Sequence, residues 1–182
     1  KIDIGRFGLI FAGAQKNAGP AGVTVVIMRR DLAERASSQL PSMLQYRSYI
    51  EKSSLYNTPP TFAVYMLGLV MEWIESRGGL EQIEQANRGK AELLYKAIEE
   101  NDFYYSPLNA QDRSTMNVVF RIAGDKEDLE KEFVAASQEK GLCNLKGHRS
   151  VGGLRASIYN AMPHEGVEAL VGFMKEFAQK HS

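Results

Sequence analysis

Two continuous apolar runs, joined by a short connection of turn-forming residues, constrain the fold more than any other feature. They are FGLIFAG at 7–13 and GVTVVIMRR at 22–30, and both are rich in β-branched and aromatic residues. Strands of this kind have both faces covered in α/β sheets, so we expect two buried strands. The connection AQKNAGPA contains Asn, Gly and Pro, which favour a tight turn. Lys16 in this turn then lies at a strand end, where α/β proteins place ligands.

The segment NTPPTFAVYMLGLVMEWIESRGG at 57–79 predicts a buried helix. Its apolar residues are too dense for a helix with one apolar face, so we expect most of its surface to be covered. Asn57 or Thr58 is the expected N-cap, and proline is favoured at the first helical position. The Gly78-Gly79 pair is expected to end the helix.

The rest of the chain predicts two domains of an α/β protein. Residues 31–56 form a polar connection whose length indicates a functional segment or an interface. Residues 80–101 are expected to form an exposed amphipathic helix between the domains. The following residues alternate between strands and helices, in this order: a possible strand FYYSPL, a strand at 116–122, a helix that ends at a glycine, two strands around a Gly-rich turn and a helix after Pro163. We therefore expect the end of a large domain at 1–90 and a small α+β sandwich at 91–182.

Composition excludes several classes of function. The 182 residues contain 22 Lys and Arg against 22 Asp and Glu, so no charge excess indicates a nucleic-acid partner. No apolar run approaches the ~20 residues that cross a bilayer, so no membrane partner is expected. The single cysteine, Cys143, fits a reducing, cytoplasmic compartment, and we expect a buried apolar thiol. The three histidines lack metal-ligand spacing, so no metal is expected.

Three places in the sequence could carry chemistry, and each has an ordinary alternative. Lys16 could be a nucleophilic amine if its cationic form is disfavoured, but most lysines are solvated and composition alone favours a solvated loop lysine. The LYNTPP stretch at 55–60 could bind an anion at a helix start, although plain capping is the commoner outcome. No nucleotide-binding loop and no G-x-S-x-G elbow occurs.

The third place is GHRSVGGLRASIYN at 147–160, where a histidine and two arginines surround a Gly-Gly pair. Arginine pairs bidentately with carboxylate or phosphate, and histidine adds a donor. If 154–159 is a strand, Arg155 shares a face with Ser157 and Tyr159 while the alternate residues face the core. His148, Arg149 and Arg155 are therefore candidates for binding a dianion and a carboxylate, with a solvated basic turn as the equally weighted alternative.

Taken together, these motifs resemble one family. FGLIFAGAQKNAGPAGVTVVI, YNTPPTFAVYMLGLVMEWI and GHRSVGGLRASIYNAMPHEGV are similar to the C-terminal half of the phosphoserine aminotransferases, which are fold-type I (class V) enzymes that use pyridoxal 5'-phosphate. The resemblance covers essentially the whole chain. It implies that the first domain is the end of the large cofactor-binding domain. Related class V enzymes typically have histidine where this chain has Gln15, and Ala18 replaces a larger aliphatic residue.

The resemblance also implies roles for the candidate residues. Lys16 would bond to the cofactor and later move a proton between the substrate Cα and the cofactor, beside Gln15. Asn57 and Thr58 would reach the cofactor phosphate across a homodimer interface. His148 and Arg149 would bind the substrate phosphate, and Arg155 its α-carboxylate.

The implied reaction transfers an amino group between glutamate and 3-phosphohydroxypyruvate, giving O-phosphoserine and 2-oxoglutarate in serine biosynthesis; bacterial members also serve pyridoxine biosynthesis. The acidic and aromatic ring partners of the family's N-terminal half are absent from these 182 residues, so we expect the chain alone to be nearly inactive. Two alternatives stay open, namely a class V enzyme for another amino or keto acid and a non-catalytic fragment that only dimerises.

Overall fold

The computed structural model describes residues 2–124 and 126–181. The described residues form a mixed α/β structure of short strands, longer helices and three single-turn 3-10 helices. The strands are β1 Leu9–Gly13, β2 Thr24–Met28, β3 Tyr104–Tyr105, β4 Asn117–Ile122 and β5 Leu154–Ser157. The α-helices are α1 Arg30–Arg35, α2 Tyr46–Glu51, α3 Thr61–Ser76, α4 Gly79–Glu99, α5 Glu127–Glu139 and α6 His164–His181.

The chain divides into two compact units, with the division between Leu80 and Glu81. Almost all of α4 therefore belongs to the second unit. The reason is its packing, because Leu94 and Ile98 are fully buried in the core of the second unit and Ala91 is nearly so. The expectation of an exposed helix between the domains is wrong for residues 87–98 of α4, where six side chains are buried. The proposed domain boundary between 90 and 91 lies ten residues after the division of the structure.

In the first unit, β1 and β2 form an antiparallel hairpin with Leu9 opposite Met28 and Gly13 opposite Thr24. The tight connection expected between the two strands is therefore present. The strands themselves are largely exposed, and Phe11 in the middle of β1 is 72% exposed. The expectation that both faces are covered is wrong for the described chain. Helix α1 approaches the hairpin at its open end, where a Cβ on Gly8 would meet the Leu32 side chain.

Helix α3 ends as expected but begins later and is far less buried than its sequence predicts. It starts at Thr61 with Pro60 as the N-cap and no side-chain capping bond, so neither Asn57 nor Thr58 caps it. The Pro59-Pro60 pair explains this shift, since a residue before proline avoids the helical region. Phe62 is 72% exposed, and α3 buries only its two residues Ala63 and Ile74.

The second unit is a three-stranded antiparallel sheet with the order β3-β4-β5, packed with α4, α5 and α6. Alternate residues of β4 and β5 are buried, which gives the sheet one core face and one face with polar residues. Phe120 of β4 and Phe133 of α5 meet edge to face at the centre of this core, with ring centroids 5.9 Å apart. A small α+β unit was expected here, and the structure has one.

The connection at 31–56 contains three short helical segments, namely α1, a 3-10 helix at Ser42–Leu44 and α2. The expectation of two strands around the Gly-rich turn is corrected. The stretch 142–160 has one regular strand, β5, whereas its first part contributes only an isolated bridge between Lys146 and Leu154. Among the described helices, none combines the length and the apolar character that crossing a membrane requires.

Candidate active site

The turn between β1 and β2 holds Lys16 in an unusual backbone conformation. Ala14 is buried, and its N–H donates to the Val23 carbonyl at 2.9 Å, which closes the hairpin end. Gln15 forms an isolated bridge with Gly19. Lys16 between them has φ of 78°, in the left-handed region that non-glycine residues seldom adopt. The turn thus imposes on lysine a backbone conformation that glycine would adopt more readily.

Helix α3 supports this turn through small residues. A Cβ on Gly19 would lie 3.6 Å from the Leu67 Cα, and one on Gly22 would lie 4.0 Å from the Ala63 Cβ. The side chain of Lys16 is exposed, and it makes no hydrogen bond or ion pair within residues 2–124 and 126–181. Among the described residues, no protein group therefore competes with a ligand for this side chain.

Gln15, Asn57 and Thr58 also lie in the first unit and are exposed. The Asn57 Nδ2 donates to the Thr58 carbonyl at 3.2 Å, just before the Pro59-Pro60 pair. No hydrogen bond joins Asn57 or Thr58 to Lys16 among the described residues. A single chain thus does not bring these three side chains together through direct bonds.

In the second unit, His148 and Arg149 occupy a turn closed by backbone hydrogen bonds. The Gly147 N–H donates to the Gly153 carbonyl at 2.8 Å, and the His148 carbonyl accepts the N–H groups of Val151 and Gly152. The turn therefore holds its shape through main-chain bonds, while the side chains of His148 and Arg149 are exposed.

The ring of His148 has a defined hydrogen-bonding direction. Its Nδ1 accepts the Ser150 N–H at 3.3 Å and lies 2.7 Å from the Ser150 Oγ. An accepting Nδ1 assigns the proton of the neutral ring to Nε2. Nε2 is then the donor that His148 can offer to a ligand, beside the exposed guanidinium of Arg149.

Arg155 lies on β5, and its face is the one that the sequence predicts. Leu154 and Ala156 are buried in the core, whereas Arg155 and Ser157 are half-buried on the other face. The Arg155 Nε is buried and has no hydrogen-bond partner among the described residues. A buried, unpaired donor of a charged group costs free energy, so a carboxylate ligand would find an arginine already desolvated.

A polar network beside Arg155 was not predicted from the sequence. The hydroxyls of Ser157 and Tyr159 lie 3.1 Å and 3.3 Å from the Asn117 Oδ1, across the β4–β5 pair. The strand pairing places Asn117 opposite Ser157 and Val119 opposite Arg155, so these side chains share one face of the sheet. The alternation of β5 predicts that Ser157 and Tyr159 lie beside Arg155, but no local pattern identifies Asn117 as their partner.

Two residues on α4 touch the chain that follows β5 and were also missed. Lys90 is 3% exposed and donates to the Tyr159 and Met162 carbonyls, and Asn87 donates to Asn160. Burial lowers the pKa of Lys90 from its ordinary value. One sequence signal was available, because positions 87, 90, 91, 94 and 98 follow the helical repeat of the buried stripe.

The described residues contain no cluster of His, Cys, Asp and Glu able to hold a metal ion. Cys143 is exposed, so the expectation of a buried thiol is wrong. The site residues thus fall into two groups, the exposed side chain of Lys16 in the first unit and an imidazole with two guanidinium groups in the second. The first group suits bonding to a carbonyl compound, and the second suits recognition of phosphate and carboxylate.

The chain is similar to known aminotransferases over nearly its whole length. The family model described as "Aminotransferase class-V" matches residues 1–170. The phosphoserine aminotransferase of Niallia circulans is 57% identical over 177 residues, which cover 97% of this chain and 48% of that protein. The phosphoserine aminotransferase of Desulfatibacillum aliphaticivorans is 57% identical over 99% of this chain and 50% of its own length. The chain spans about half the length of the curated relatives it matches.

Solved structures show the same relationship. Phosphoserine aminotransferase from Bacillus circulans subsp. alkalophilus is 55% identical and superimposes with a TM-score of 0.95, over 100% of this chain and 50% of that chain. The PLP-bound phosphoserine aminotransferase from Trichomonas vaginalis is 41% identical with a TM-score of 0.88, over 96% of this chain and 49% of that one. An alanine–glyoxylate aminotransferase from Nostoc shares the fold at 16% identity.

These likenesses confirm the α/β fold class and the resemblance to phosphoserine aminotransferases. The family model extends over nearly the whole sequence, including the Lys16 turn and the 147–155 stretch. The chain belongs to the class V aminotransferases.

Proposed function

We propose that this chain carries the lysine and part of the substrate site of a phosphoserine aminotransferase, which transfers an amino group between glutamate and 3-phosphohydroxypyruvate. The observation that carries the proposal is the buried Nε of Arg155, which has no hydrogen-bond partner among the described residues, in a chain 57% identical to a phosphoserine aminotransferase. Serine biosynthesis is the pathway in which such an enzyme acts.

The residues of the first unit fit pyridoxal phosphate. The Lys16 side chain is exposed and has no partner in the part of the chain that the structure describes, and small residues such as Ala14 and Ala18 flank it. Gln15 lies next to it in the turn. When bound, pyridoxal phosphate supplies an electron sink for the charge that develops at the substrate Cα. Lys16 would hold the cofactor, and its amine would move the proton at that Cα.

The residues of the second unit divide the substrate between them. Arg155 binds the α-carboxylate, since its guanidinium is rigid and already partly desolvated. His148 and Arg149 bind the phosphate through the imidazole Nε2 donor and the exposed guanidinium. A site that hydrogen-bonds both groups rejects analogues that lack one of them, because its own donors are then left unpaired.

The oligomer and the cellular setting belong to the same proposal. Asn57 and Thr58 are exposed and make no hydrogen bond to Lys16 among the described residues, which fits a role at the cofactor phosphate of a partner subunit in a homodimer. The enzyme would act in the cytoplasm, and the pyridoxine pathway would be a second use of the same site. The domain limits of 1–90 and 91–182 and the low activity of the isolated 182 residues are also proposals.

Steady-state kinetics with glutamate and 3-phosphohydroxypyruvate tests the reaction. The assay should use the native protein in its full-length form and, separately, the 182 residues alone. We expect transamination by the native protein and little or none by the 182 residues. Activity with another keto acid in place of 3-phosphohydroxypyruvate would favour the rival, a class V enzyme with a different substrate.

Borohydride reduction tests the role of Lys16. The native protein is incubated with pyridoxal phosphate, reduced, digested and mapped by mass spectrometry. We expect a stable label on Lys16 and none on Lys52, an exposed lysine of the same unit. Absence of label from Lys16 would support the other rival, a non-catalytic protein that only dimerises.

A further inference from the structure

Lys90 is a buried ammonium whose donors are directed at one short stretch of backbone. It lies in the middle of α4 and is 3% exposed. Its Nζ donates to the Tyr159 carbonyl at 2.8 Å and to the Met162 carbonyl at 2.9 Å, and it lies 3.5 Å from the Ile158 carbonyl. An ammonium group has three donors, and these three carbonyls match them in number.

No carboxylate compensates this charge among the described residues, since none lies within 4.0 Å of the Lys90 Nζ. Removing an ammonium from water is expensive, and an apolar residue of the same length would avoid that cost. Among the described residues, the hydrogen-bonding groups placed against this charge are the three carbonyl dipoles. Lys90 is suited to hold this stretch of backbone in a way that an apolar residue is not.

The stretch that Lys90 holds is the direct continuation of β5. The Met162 N–H donates to the Tyr159 carbonyl at 3.0 Å, so the chain turns immediately after the strand. Asn87, one helical turn before Lys90, donates to the Asn160 Oδ1 at 2.8 Å and adds a second bond between α4 and the same turn. Helix α4 is thus bonded to the chain within four residues of Arg155.

The opposite side of this stretch carries the polar network of the candidate site. The Tyr159 hydroxyl and the Ser157 hydroxyl both meet the Asn117 Oδ1 on the face that bears Arg155. The backbone of Tyr159 is therefore held by Lys90 while its side chain takes part in the network beside Arg155. A shift of this backbone would move the network and the strand that carries the guanidinium.

We propose that Lys90 is a positioning residue for the carboxylate-binding arginine: its ammonium fixes the end of β5 from the core side, and this places Arg155 for the α-carboxylate that both substrates share. This inference rests on the proposed function. It assigns to α4 a role in substrate affinity in addition to its role in the hydrophobic core.

The test compares Lys90→Met with Leu94→Ala in the native, full-length protein. Leu94 is fully buried on the same helix and makes no hydrogen bond to the turn through its side chain, so Leu94→Ala weakens the core alone. We expect Lys90→Met to raise KM for glutamate and for 3-phosphohydroxypyruvate by similar factors of about tenfold, with kcat within about threefold. Leu94→Ala should lower the melting temperature and leave both KM values unchanged.

Arg155→Lys separates failure of this inference from failure of the proposed function. If Arg155→Lys raises both KM values and Lys90→Met raises neither, or if Lys90→Met only lowers the melting temperature as Leu94→Ala does, the positioning role is overturned while the proposed function stands. If Arg155→Lys changes neither KM, the role of Arg155 and the inference fall together.

Should Lys90→Met fail to fold, Asn87→Ala replaces it, because it removes only the bond to Asn160. We then expect a smaller, two- to threefold rise in both KM values. Unchanged KM values in a folded Asn87→Ala protein would overturn the role of the α4 contacts.

Discussion

Gly147 and Gly152 lie so close together in the turn at 147–153, which carries His148 and Arg149, that Gly147 cannot carry a side chain. A Cβ at position 147 would overlap the Gly152 carbonyl oxygen and would lie 2.6 Å from the Gly153 carbonyl oxygen. These are backbone atoms of a turn closed by the Gly147–Gly153 hydrogen bond, so they cannot move aside independently. The conformation that presents His148 and Arg149 thus depends on a glycine that binds nothing itself.

We therefore predict that Gly147→Ala opens the turn. The added methyl should lower the free energy of unfolding by about 1–3 kcal/mol, the usual cost of overpacking, as measured by urea denaturation. It should also raise KM for the phosphorylated substrate. Gly89→Ala is the control, because position 89 lies in α4 with nothing within 4 Å of a new Cβ. That change should stabilise the protein by roughly 0.5–1 kcal/mol. A Gly147→Ala protein with unchanged stability and KM would contradict the prediction.

Replacing both proposed phosphate-binding residues should change KM for one substrate and not for the other. In a His148→Asn, Arg149→Met double variant, we expect KM for 3-phosphohydroxypyruvate to rise by on the order of 100-fold, because two charge-assisted bonds to the dianion are lost. KM for glutamate should stay within about threefold. Lys146→Met, which removes an exposed cation beside the same turn, controls for net charge. Equal effects on both substrates would favour a class V enzyme for another substrate.

Arg155 should lower the stability of the ligand-free protein, although it is needed to bind substrate. Its buried Nε lacks a partner among the described residues, so Arg155→Met removes an unpaired donor. We expect unfolding to become more difficult by up to about 1 kcal/mol, whereas kcat/KM falls by at least about 100-fold for both substrates. Thermal unfolding and kinetics of the same preparation measure both effects. Arg88 forms an exposed salt bridge with Glu84 on α4, so Arg88→Met should change neither the stability nor kcat/KM. A destabilised and fully active Arg155→Met protein would refute the assignment.

Tyr104 should make stability sensitive to alkaline pH. Burial raises the pKa of Tyr104 well above its ordinary value of 10.0, and its hydroxyl donates to the Met174 carbonyl at 2.9 Å. Because the unfolded state loses this proton first, it binds fewer protons above pH ~10, and the free energy of unfolding falls as pH rises. The slope from this group is at most about 1.4 kcal/mol per pH unit, and below pH ~10 its contribution is fully present.

Urea midpoints between pH 8 and 11 measure this effect. Tyr104→Phe should cost about 1 kcal/mol at pH 8 through the lost hydrogen bond, and it should flatten the decline at higher pH. The more exposed neighbour Tyr105 provides the control, and Tyr105→Phe should keep the decline. An undiminished slope in the Tyr104→Phe protein would show that another group causes the alkaline loss.

Local patterns predicted most of the secondary structure. The β-branched and aromatic runs at 7–13 and 22–30, and the strand predicted at 116–122, correspond to strands β1, β2 and β4. The face of Arg155 followed from the period of two in β5, since Leu154 and Ala156 are buried as expected. These features depend on residues close in sequence, and the periodicity of apolar residues therefore predicts them.

Features that depend on distant residues were not predictable. The exposure of Phe11 and Phe62 depends on what packs against β1 and α3. An apolar pattern indicates that burial of a surface is favourable, but it does not identify the segment that covers it. The bonds of Lys90 to the chain after β5 join positions about 70 apart in sequence. The position of Asn117 opposite Ser157 depends on the register between β4 and β5, which the sequence of neither strand specifies alone.

The left-handed backbone of Lys16 has a consequence for laboratory evolution of this protein. Glycine or asparagine would adopt φ of 78° at lower conformational cost than lysine, a difference on the order of 1 kcal/mol. A library screened only for heat resistance would therefore enrich substitutions at position 16 and discard the reactive amine. Selection of variants for this turn must include turnover, because thermal tolerance and chemistry favour different residues there.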